Sequence, residues 1–371
     1  MISPALRIAL VHDWLTGMRG GEKVLAELVA LFPSADVFTL VWKRGSVRKE
    51  IEDRVRRVSF LDRLPWAATA YRYYLPLFPA AIRSIPLDGY DLILSSSHAV
   101  AKGVRVPPGA VHASYVHTPM RYLWETGADY FAFGRGRWWK RAALGAVRPW
   151  LRRFDRATTA GVHHFIANSE TVRERIRRLY GAEARVIYPP ADTDFFVSDS
   201  APPEDYYLVV SSLEAYKRID LAVEAFSGGR RRLLIAGKGT LEGELRRRAR
   251  PPVEFLGEVD DGALRTLYQR CRALIFPGLE DFGLTPVEAQ ACGRPVICYG
   301  SGGATETVID GITGVHFHPQ TAEALLAAVE RLERMCWDPG RIREHSLRFS
   351  RWRFREEMAD FVRSLEITSG E

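Results

Sequence analysis

Short apolar runs alternate along the chain with stretches whose apolar residues recur every three or four positions. In the first half the runs are Leu6 to His12, Asp36 to Trp42, Asp91 to Ser96, Val111 to His117, Phe165 to Asn168 and Arg185 to Tyr188. In the second half they are Tyr207 to Ser211, Leu233 to Ala236, Val253 to Leu256, Ala273 to Phe276, Pro295 to Tyr299 and Val315 to Phe317. They are largely unalternated and rich in Val, Ile, Leu and aromatic residues, the pattern of strands covered on both faces. Between them the period becomes helical, as in Val24, Leu25, Leu28 and Leu31, or Leu325, Leu326, Val329 and Leu332. Such alternation predicts parallel sheets with helices on both faces. Two series of it predict an α/β chain of two doubly wound domains.

Pro189, Pro190, Pro202 and Pro203, with three intervening aspartates, interrupt both periods and mark the boundary. The first domain is expected over 1–195 and the second over 200–348. A last helical pattern runs from about Arg341 to Ser364, and the stretch 349–371 can return to complete the first domain.

Composition narrows the class. A chain of 371 residues suits two domains, and 47% hydrophobic with 26% charged residues excludes wholesale disorder. The longest stretch without Asp, Glu, Lys or Arg is the 15 residues from Val106 to Met120, which contain three prolines and cannot span a bilayer as a helix. Met1 to Leu15 is apolar but lacks a basic start and a small-residue cleavage site, so a buried strand and a cytoplasmic location are expected. Cys271, Cys292, Cys298 and Cys336 include no C-x-x-C pair, which predicts reduced thiols rather than a zinc or redox site. The formal charge of +7 is concentrated between Arg121 and Tyr180, where thirteen basic residues face five acidic ones.

In doubly wound sheets, ligands bind beyond the carboxyl ends of the strands, where loops lead into helix N-termini. Four such places carry candidate chemistry. Gly17-Met18-Arg19-Gly20-Gly21-Glu22 follows the first strand and precedes a helix expected near Glu22. Its glycines permit close backbone approach and its amides favour an anion, although a tight turn needing positive φ explains them equally. Glu280-Asp281-Phe282-Gly283-Leu284-Thr285-Pro286-Val287-Glu288 follows the strand ending at Phe276. Thr285 suits the N-cap and Pro286 the first helical position, which aims the Leu284 and Thr285 amides at a phosphate. Thr285-x-x-Glu288 also fits a capping box, which would leave Glu288 a purely local role. Lys217 and Arg218, in the loop after Tyr207 to Ser211, can neutralise a diphosphate or stand as a solvated pair. His117, in Tyr115-Val116-His117-Thr118-Pro119-Met120, ends a buried strand as a catalyst or as a packed core histidine.

Two motifs are rejected as sites. Asp192-Thr193-Asp194 has the D-x-D form of metal-dependent sugar transferases but lies in the expected linker. Gly237-Lys238-Gly239-Thr240 looks like part of a P-loop, yet Arg232 stands where that pattern requires glycine. Neither Mg²⁺ binding nor ATP hydrolysis is predicted, and the exact G-x-G-x-x-G signature of NAD enzymes is missing.

Together the motifs resemble retaining glycosyltransferases of family 4, which have the GT-B architecture. The resemblance rests on Gly20-Gly21-Glu22-Lys23-Val24-Leu25, Val116-His117-Thr118-Pro119-Met120-Arg121-Tyr122 and Ala167-Asn168-Ser169-Glu170. It continues through Tyr188-Pro189-Pro190 with Asp192 to Phe196, Tyr216-Lys217-Arg218-Ile219-Asp220, and Glu280 to Glu288. The His-Thr-Pro-Met-Arg-Tyr segment is similar to the mannosyltransferase branch that builds bacterial surface polysaccharides.

The resemblance implies two Rossmann-like domains facing a central cleft and a metal-independent transfer of a hexosyl group, mannosyl from GDP-mannose, to a glycan or lipid-linked glycan. No cofactor is implied beyond this nucleotide-sugar co-substrate. By position, Glu280 and the backbone of Phe282 and Gly283 would hold the donor sugar. Leu284 and Thr285 amides with Lys217 would hold the diphosphate, and Glu288 the ribose. Gly20 and Gly21 would approach the phosphate and acceptor, and His117 would sit beside the reacting sugar. Two departures stand out: Ser212 occupies the usual place of a phosphate-binding arginine, which implies either that Arg218 substitutes or that donor affinity is reduced, and Ser301 replaces a basic residue before Gly302 and Gly303.

Two other functions fit parts of the chain, a nucleotide-sugar 2-epimerase of the same architecture and a non-enzymatic polyanion binder. No nucleic-acid module is recognisable, so nucleic acid is not an expected partner. In 137–156, Trp139, Ala143, Val147, Trp150, Leu151 and Phe154 recur at helical spacing opposite Arg137, Lys140, Arg141, Arg148, Arg152 and Arg153. Such a helix either lies on an anionic membrane, at the inner face of the plasma membrane, or packs on the core with a solvated basic face.

Overall fold

The structure is a computed structural model and describes residues 6–124, 138–199 and 201–367, the side chains of 138–144 excepted. Among the described residues the strands form two all-parallel sheets. The first contains β1 (Ile8–His12), β2 (Asp36–Thr39), β3 (Val55–Val58), β4 (Leu92–Ser97), β5 (Val111–Val116), β6 (His164–Ala167) and β7 (Ala184–Val186). Its order is β3-β2-β1-β4-β5-β6-β7. The second contains β8 (Tyr207–Val210), β9 (Leu233–Ala236), β10 (Val253–Gly257), β11 (Leu274–Phe276), β12 (Val296–Tyr299) and β13 (Gly314–Phe317), in the order β10-β9-β8-β11-β12-β13.

Each apolar run of the sequence overlaps one of these strands, with ends within one or a few residues. β3 is the addition. Its sequence, Val55-Arg56-Arg57-Val58, carries two exposed arginines at the edge of the sheet, and an edge strand needs little apolar surface.

Both sheets reverse their winding beside the first strand, between β1 and β4 and between β8 and β11. At such a switch point the following loops diverge to opposite faces and leave a crevice at the carboxyl ends of the strands. The loop into Gly20 and Gly21 leaves β1, and the run Ser95-Ser96-Ser97-His98 ends β4. The loop with Lys217 follows β8, and the Glu280 loop follows β11.

The chain divides into two compact units, one comprising residues up to 127, 136–190 and 352–371, the other centred on 191–351. In the first, the helix Gly20–Leu31 buries Val24, Leu25 and Leu28 against Leu10 and Leu94 of the sheet. The same cluster takes in Phe354, Met358, Phe361 and Val362 of the helix Arg351–Arg363. The last helix therefore packs on the first sheet. In the second unit, Leu221 and Val223 of the helix Ile219–Phe226, and Leu325 and Val329 of Ala322–Glu333, cover one face of the sheet.

The helix Trp138–Ala157 buries Leu151 and Phe154 in the core with Ile82 and Val104. Its Asp155 is fully buried and fixes the helix through three partners. Lys102 Nζ lies 2.9 Å from Oδ1, while Trp124 Nε1 and the Tyr180 hydroxyl donate to Oδ2 at 2.6 and 2.9 Å. The apolar face of this half of the helix is thus occupied by protein. Arg137 and the side chains of Trp139, Lys140, Arg141 and Ala143 lie outside the described residues. No helix among the described residues is long and apolar enough to cross a membrane.

Burial also sets a pH dependence. His112 on β5 is fully buried, with Nε2 2.9 Å from Ser95 Oγ and Nδ1 2.8 Å from the Gly161 carbonyl oxygen. Desolvation pulls its imidazole down to about 4, against the raising effect of the Gly161 bond. An unfolded histidine titrates near ~6.5, so between that pH and about 4 the unfolded chain gains a proton that the folded chain refuses. Stability therefore falls as pH falls through this window, by roughly 3 kcal/mol for this group. Urea unfolding of the wild type and His112→Gln at a series of pH values should show a shallower acid loss in the variant; parallel profiles would contradict the assignment.

Candidate functional site

The first rim lies on the β1–β4 switch point. Register pairs His12 with Ser96 across β1 and β4, and Ser96 with Tyr115 across β4 and β5. Parallel partners point to the same face, and His117 stands two residues beyond Tyr115, so period-two alternation returns it to that face. The side chains meet accordingly. Ser96 Oγ lies 3.0 Å from His12 Nδ1 and 2.8 Å from His117 Nε2.

The helix at this rim starts at Gly20, two residues earlier than expected, so both glycines belong to its first turn. Neither Gly20 nor Gly21 has positive φ. The demand at Gly21 is close approach instead: a Cβ there would stand 3.2 Å from His12 Cε1 and 3.7 Å from His117 Nε2. Glu22 turns back to accept the Arg19 amide at 3.1 Å, and its Oε1 is 3.8 Å from His12 Nε2. Burial alone would raise the Glu22 carboxyl, but the adjoining His12 and the more distant His98 outweigh it and lower the group below the usual carboxylate range.

Asp13 organises the end of β4. It is fully buried; Oδ2 accepts from the amides of His98 and Ala99, both at 2.8 Å. Oδ1 accepts from Val100 at 2.7 Å and Ala101 at 2.8 Å. His98 Nδ1 lies 3.4 Å from Asp13 Oδ2. Desolvation keeps both His98 and His117 below the ordinary imidazole range, His117 well below it because His98 and His12 add to the effect. A neutral His117 at a strand end can accept or donate one hydrogen bond at each nitrogen without carrying charge.

The second rim lies on the β8–β11 switch point. Lys217 Nζ and Glu280 Oε1 form an ion pair, and both side chains are mostly shielded from solvent. Glu280 is fixed by its backbone, which pairs with Gly302 and accepts the Gly303 amide at 2.8 Å. The glycines make this possible: a Cβ on Gly302 would lie 2.5 Å from Glu280 O, and one on Gly303 2.2 Å from Asp281 O. Gly278 also approaches Lys217, its Cβ position being 2.9 Å from Lys217 O.

The helix beyond Glu280 spans Leu284–Ala291 with Gly283 as N-cap, at φ 91°. This corrects the expected cap at Thr285, which sits inside the first turn with Pro286. The capping box is not formed. Glu288 is buried and accepts instead from the Tyr268 hydroxyl at 3.1 Å. Gly283, Leu284 and Thr285 are half-exposed, and the amides of a first helical turn have no intrahelical acceptor. Phe282 is buried against Phe349.

Arg218 caps the helix Ile219–Phe226 from the left-handed region, at φ 53°. Its guanidinium is taken up by Asp220, Nε to Oδ1 at 3.2 Å, with Nη1 3.4 Å from Gln320 Oε1. Ser212 is exposed. Among the described residues no group of three or more His, Cys, Asp or Glu could hold a metal ion.

The rejected motifs have structural roles. Asp192 pairs with Arg351 at 3.1 Å and accepts the Phe195 amide. Gly237 and Gly239 admit the backbones of Ser211 and Leu213, with Cβ positions 1.9 and 2.4 Å from their carbonyl oxygens. The sequence did not single out His12, Ser96, His98, Tyr268, Asp220 or Gln320. The one available signal was the polar run at the ends of β1 and β4, His12-Asp13 and Ser95 to His98, in strands otherwise apolar.

Comparison with known proteins gives the same picture. Residues 18–195 match the model for Glycosyltransferase Family 4, and residues 190–345 that for Glycosyl transferases group 1. The chain is 32% identical over 217 residues to glycogen synthase of Mycobacterium tuberculosis, covering 53% of this chain and 51% of that protein. It is 31% identical over 137 residues to O-antigen chain mannosyltransferase C of Escherichia coli, covering 35% and 37%. The chain thus spans about half, or less, of the length of these curated relatives. The structure of Anabaena HepE in complex with UDP and glucose superposes with a TM-score of 0.69 at 17% identity, over 96% of this chain and 99% of that one. The fold is GT-B.

The close glycine contacts give a direct test. Gly303→Ala forces a methyl group into the backbone of Asp281, and overpacking of this kind costs about 1–3 kcal/mol. Urea unfolding should register that loss, and an unchanged midpoint would show that the Glu280 loop is not held by this contact.

Proposed function

The chain belongs to the family 4, group 1 glycosyltransferases, and from that premise we propose that it transfers a mannosyl group from GDP-mannose, with retention of configuration and without a metal, to a glycan or lipid-linked glycan acceptor. The observation that carries the reading is the Lys217–Glu280 pair beside the half-exposed start of the helix Leu284–Ala291. It sets a cation and first-turn amides, both suited to phosphate, next to a carboxylate suited to sugar hydroxyls. The mannosyl choice is supported by the O-antigen mannosyltransferase among the relatives.

Glu280 and the backbone of Phe282 and Gly283 hold the sugar. The Leu284 and Thr285 amides and Lys217 hold the diphosphate, while Arg218, positioned by Asp220, stands in for the donor-binding arginine that Ser212 replaces. Tyr268 orients Glu288 for the ribose. On the first unit, Gly20 and Gly21 serve the phosphate and acceptor, and His117 the reacting sugar. The bond from the anomeric carbon to the phosphate oxygen breaks as the acceptor hydroxyl oxygen bonds to the same carbon from the same face. The hydroxyl proton passes to the departing phosphate. Preorganised positive charge on that phosphate is the electrostatic contribution that dominates such reactions.

Lys217→Ala and Glu280→Ala should each lower kcat by roughly 10²–10³-fold with the fold intact. Near-normal transfer by both would remove the site assignment. Thermal shift with GDP-mannose, UDP-sugars and ADP-sugars should show the largest stabilisation with GDP-mannose; a stronger response to another donor would replace mannosyl. NMR of the donor incubated without acceptor should show no change of sugar configuration, since epimerised product would favour a 2-epimerase.

We place the enzyme in the cytoplasm at the inner face of the plasma membrane. Arg148, Arg152, Arg153 and Arg156 line one concave patch around Pro149, and Trp150 beside it is 49% exposed. Because Leu151 and Phe154 are buried in the core, the contact is electrostatic, made by the basic face to anionic headgroups. Sedimentation with vesicles should rise with anionic-lipid content and fall with salt, and no binding at low salt would dismiss the membrane contact.

A further inference from the structure

Among side chains of the first rim, the proposed chemistry uses that of His117, and a connected set of buried polar groups stands behind it. Ser96 is fully buried and bridges two imidazoles through one oxygen, 3.0 Å from His12 Nδ1 and 2.8 Å from His117 Nε2. His12 is itself fully buried, and its Nε2 has no partner at hydrogen-bond distance but faces Glu22 Oε1 at 3.8 Å. Glu22 is held in place by the Arg19 amide.

The direction of this chain is decided by its far end. A neutral imidazole has one N–H, and the nitrogen nearest a carboxylate is the better place for it, since a lone pair turned toward Glu22 would meet negative charge in a poorly solvated site. With the proton on Nε2, His12 Nδ1 is an acceptor and receives the Ser96 hydroxyl proton. The Ser96 oxygen then has only lone pairs to offer, so the nitrogen of His117 that meets it carries hydrogen. His117 is thereby left with a bare Nδ1.

We infer that Glu22, His12 and Ser96 form a buried relay that fixes His117 as its Nε2–H tautomer and presents Nδ1 as a hydrogen-bond acceptor for a sugar hydroxyl. The three are positioning residues, because none need touch substrate. His98 is held separately, its Nδ1 turned to Asp13, and does not enter the chain. The relay depends on the sheet register that sets His12 beside Ser96 and on Gly21, whose missing side chain lets the helix start close over both imidazoles. The acceptor role of Nδ1 rests on the transferase reading; the tautomer does not.

The test is long-range ¹H–¹⁵N correlation NMR on the full chain labelled with ¹⁵N-histidine, with His117 assigned by the signals lost in His117→Gln. The wild type should show one neutral tautomer at His117 with the proton on Nε2. Ser96→Ala and Glu22→Gln should each convert it to an averaged or reversed tautomer, and Ser96→Thr should restore it. In the transfer assay Ser96→Ala should lower kcat about tenfold or more, as misorientation of a contacting group does, with donor KM little changed. A wild-type proton on Nδ1, an averaged wild-type signal, or an Nε2–H tautomer unmoved in both variants would each overturn the relay. If the tautomer behaves as stated while His117→Ala transfers at the wild-type rate, the relay stands and the role of His117 in transfer fails.

Discussion

Parallel pairing of buried strands in one fixed register is the constraint on which the rest depends. A slip of one residue between β1 and β4 would turn His12 away from Ser96 and break the contact with His117. The register is specified because these strands are covered on both faces, so no alternative pairing keeps Leu10 and Val11, or Ile93 and Leu94, in their cores. The polar residues ride at the carboxyl ends, where apolar cover stops and loops begin. The same rule places Lys217 after β8 and Glu280 after β11, neighbours across the second switch point.

Charge at both rims is held rather than exposed. Glu280 meets Lys217, Arg218 meets Asp220, and Asp13 receives four backbone amides. Asp13 is fully buried, so loss of its amide partners would leave an uncompensated charge away from water, while the partly exposed Lys217–Glu280 and Arg218–Asp220 pairs hold each other's side chains in place. Under the proposed function, confinement of this kind lets Lys217 present charge to a diphosphate without reorganising when the bond breaks. The buried Lys102–Asp155 pair applies the same device to structure, pinning the helix that carries Arg148, Arg152, Arg153 and Arg156.

Glycine is used at these rims mainly for close approach. Gly21 admits two histidines, Gly302 and Gly303 admit the Glu280 loop, and Gly237 and Gly239 admit the loop that leads to Lys217. The last pair produced a sequence fragment similar to a nucleotide-binding loop although its glycines touch only backbone. In one dimension a glycine needed by a ligand and one needed by a neighbouring strand are the same letter.

From the sequence alone came the alternation of buried strands and helices, the two-sheet α/β class, the position of every strand but β3 and the loops that carry Gly21, His117, Lys217 and Glu280. These are legible because burial on both faces leaves a local, periodic mark, and because glycine, proline and charged residues at strand ends are conspicuous against it. Edge strand β3 escaped, since two arginines in four residues leave no such mark. Tertiary structure alone decided that Glu288 answers to Tyr268 rather than to its own helix cap, that Arg218 is occupied by Asp220 and Gln320, and that His117 is backed by Ser96, His12 and Glu22. It also decided that Leu151 and Phe154 face the core. Each of these is a contact between groups whose meeting is set by strand order and register, or by how a helix rolls on its sheet, and no local pattern of residue types encodes either.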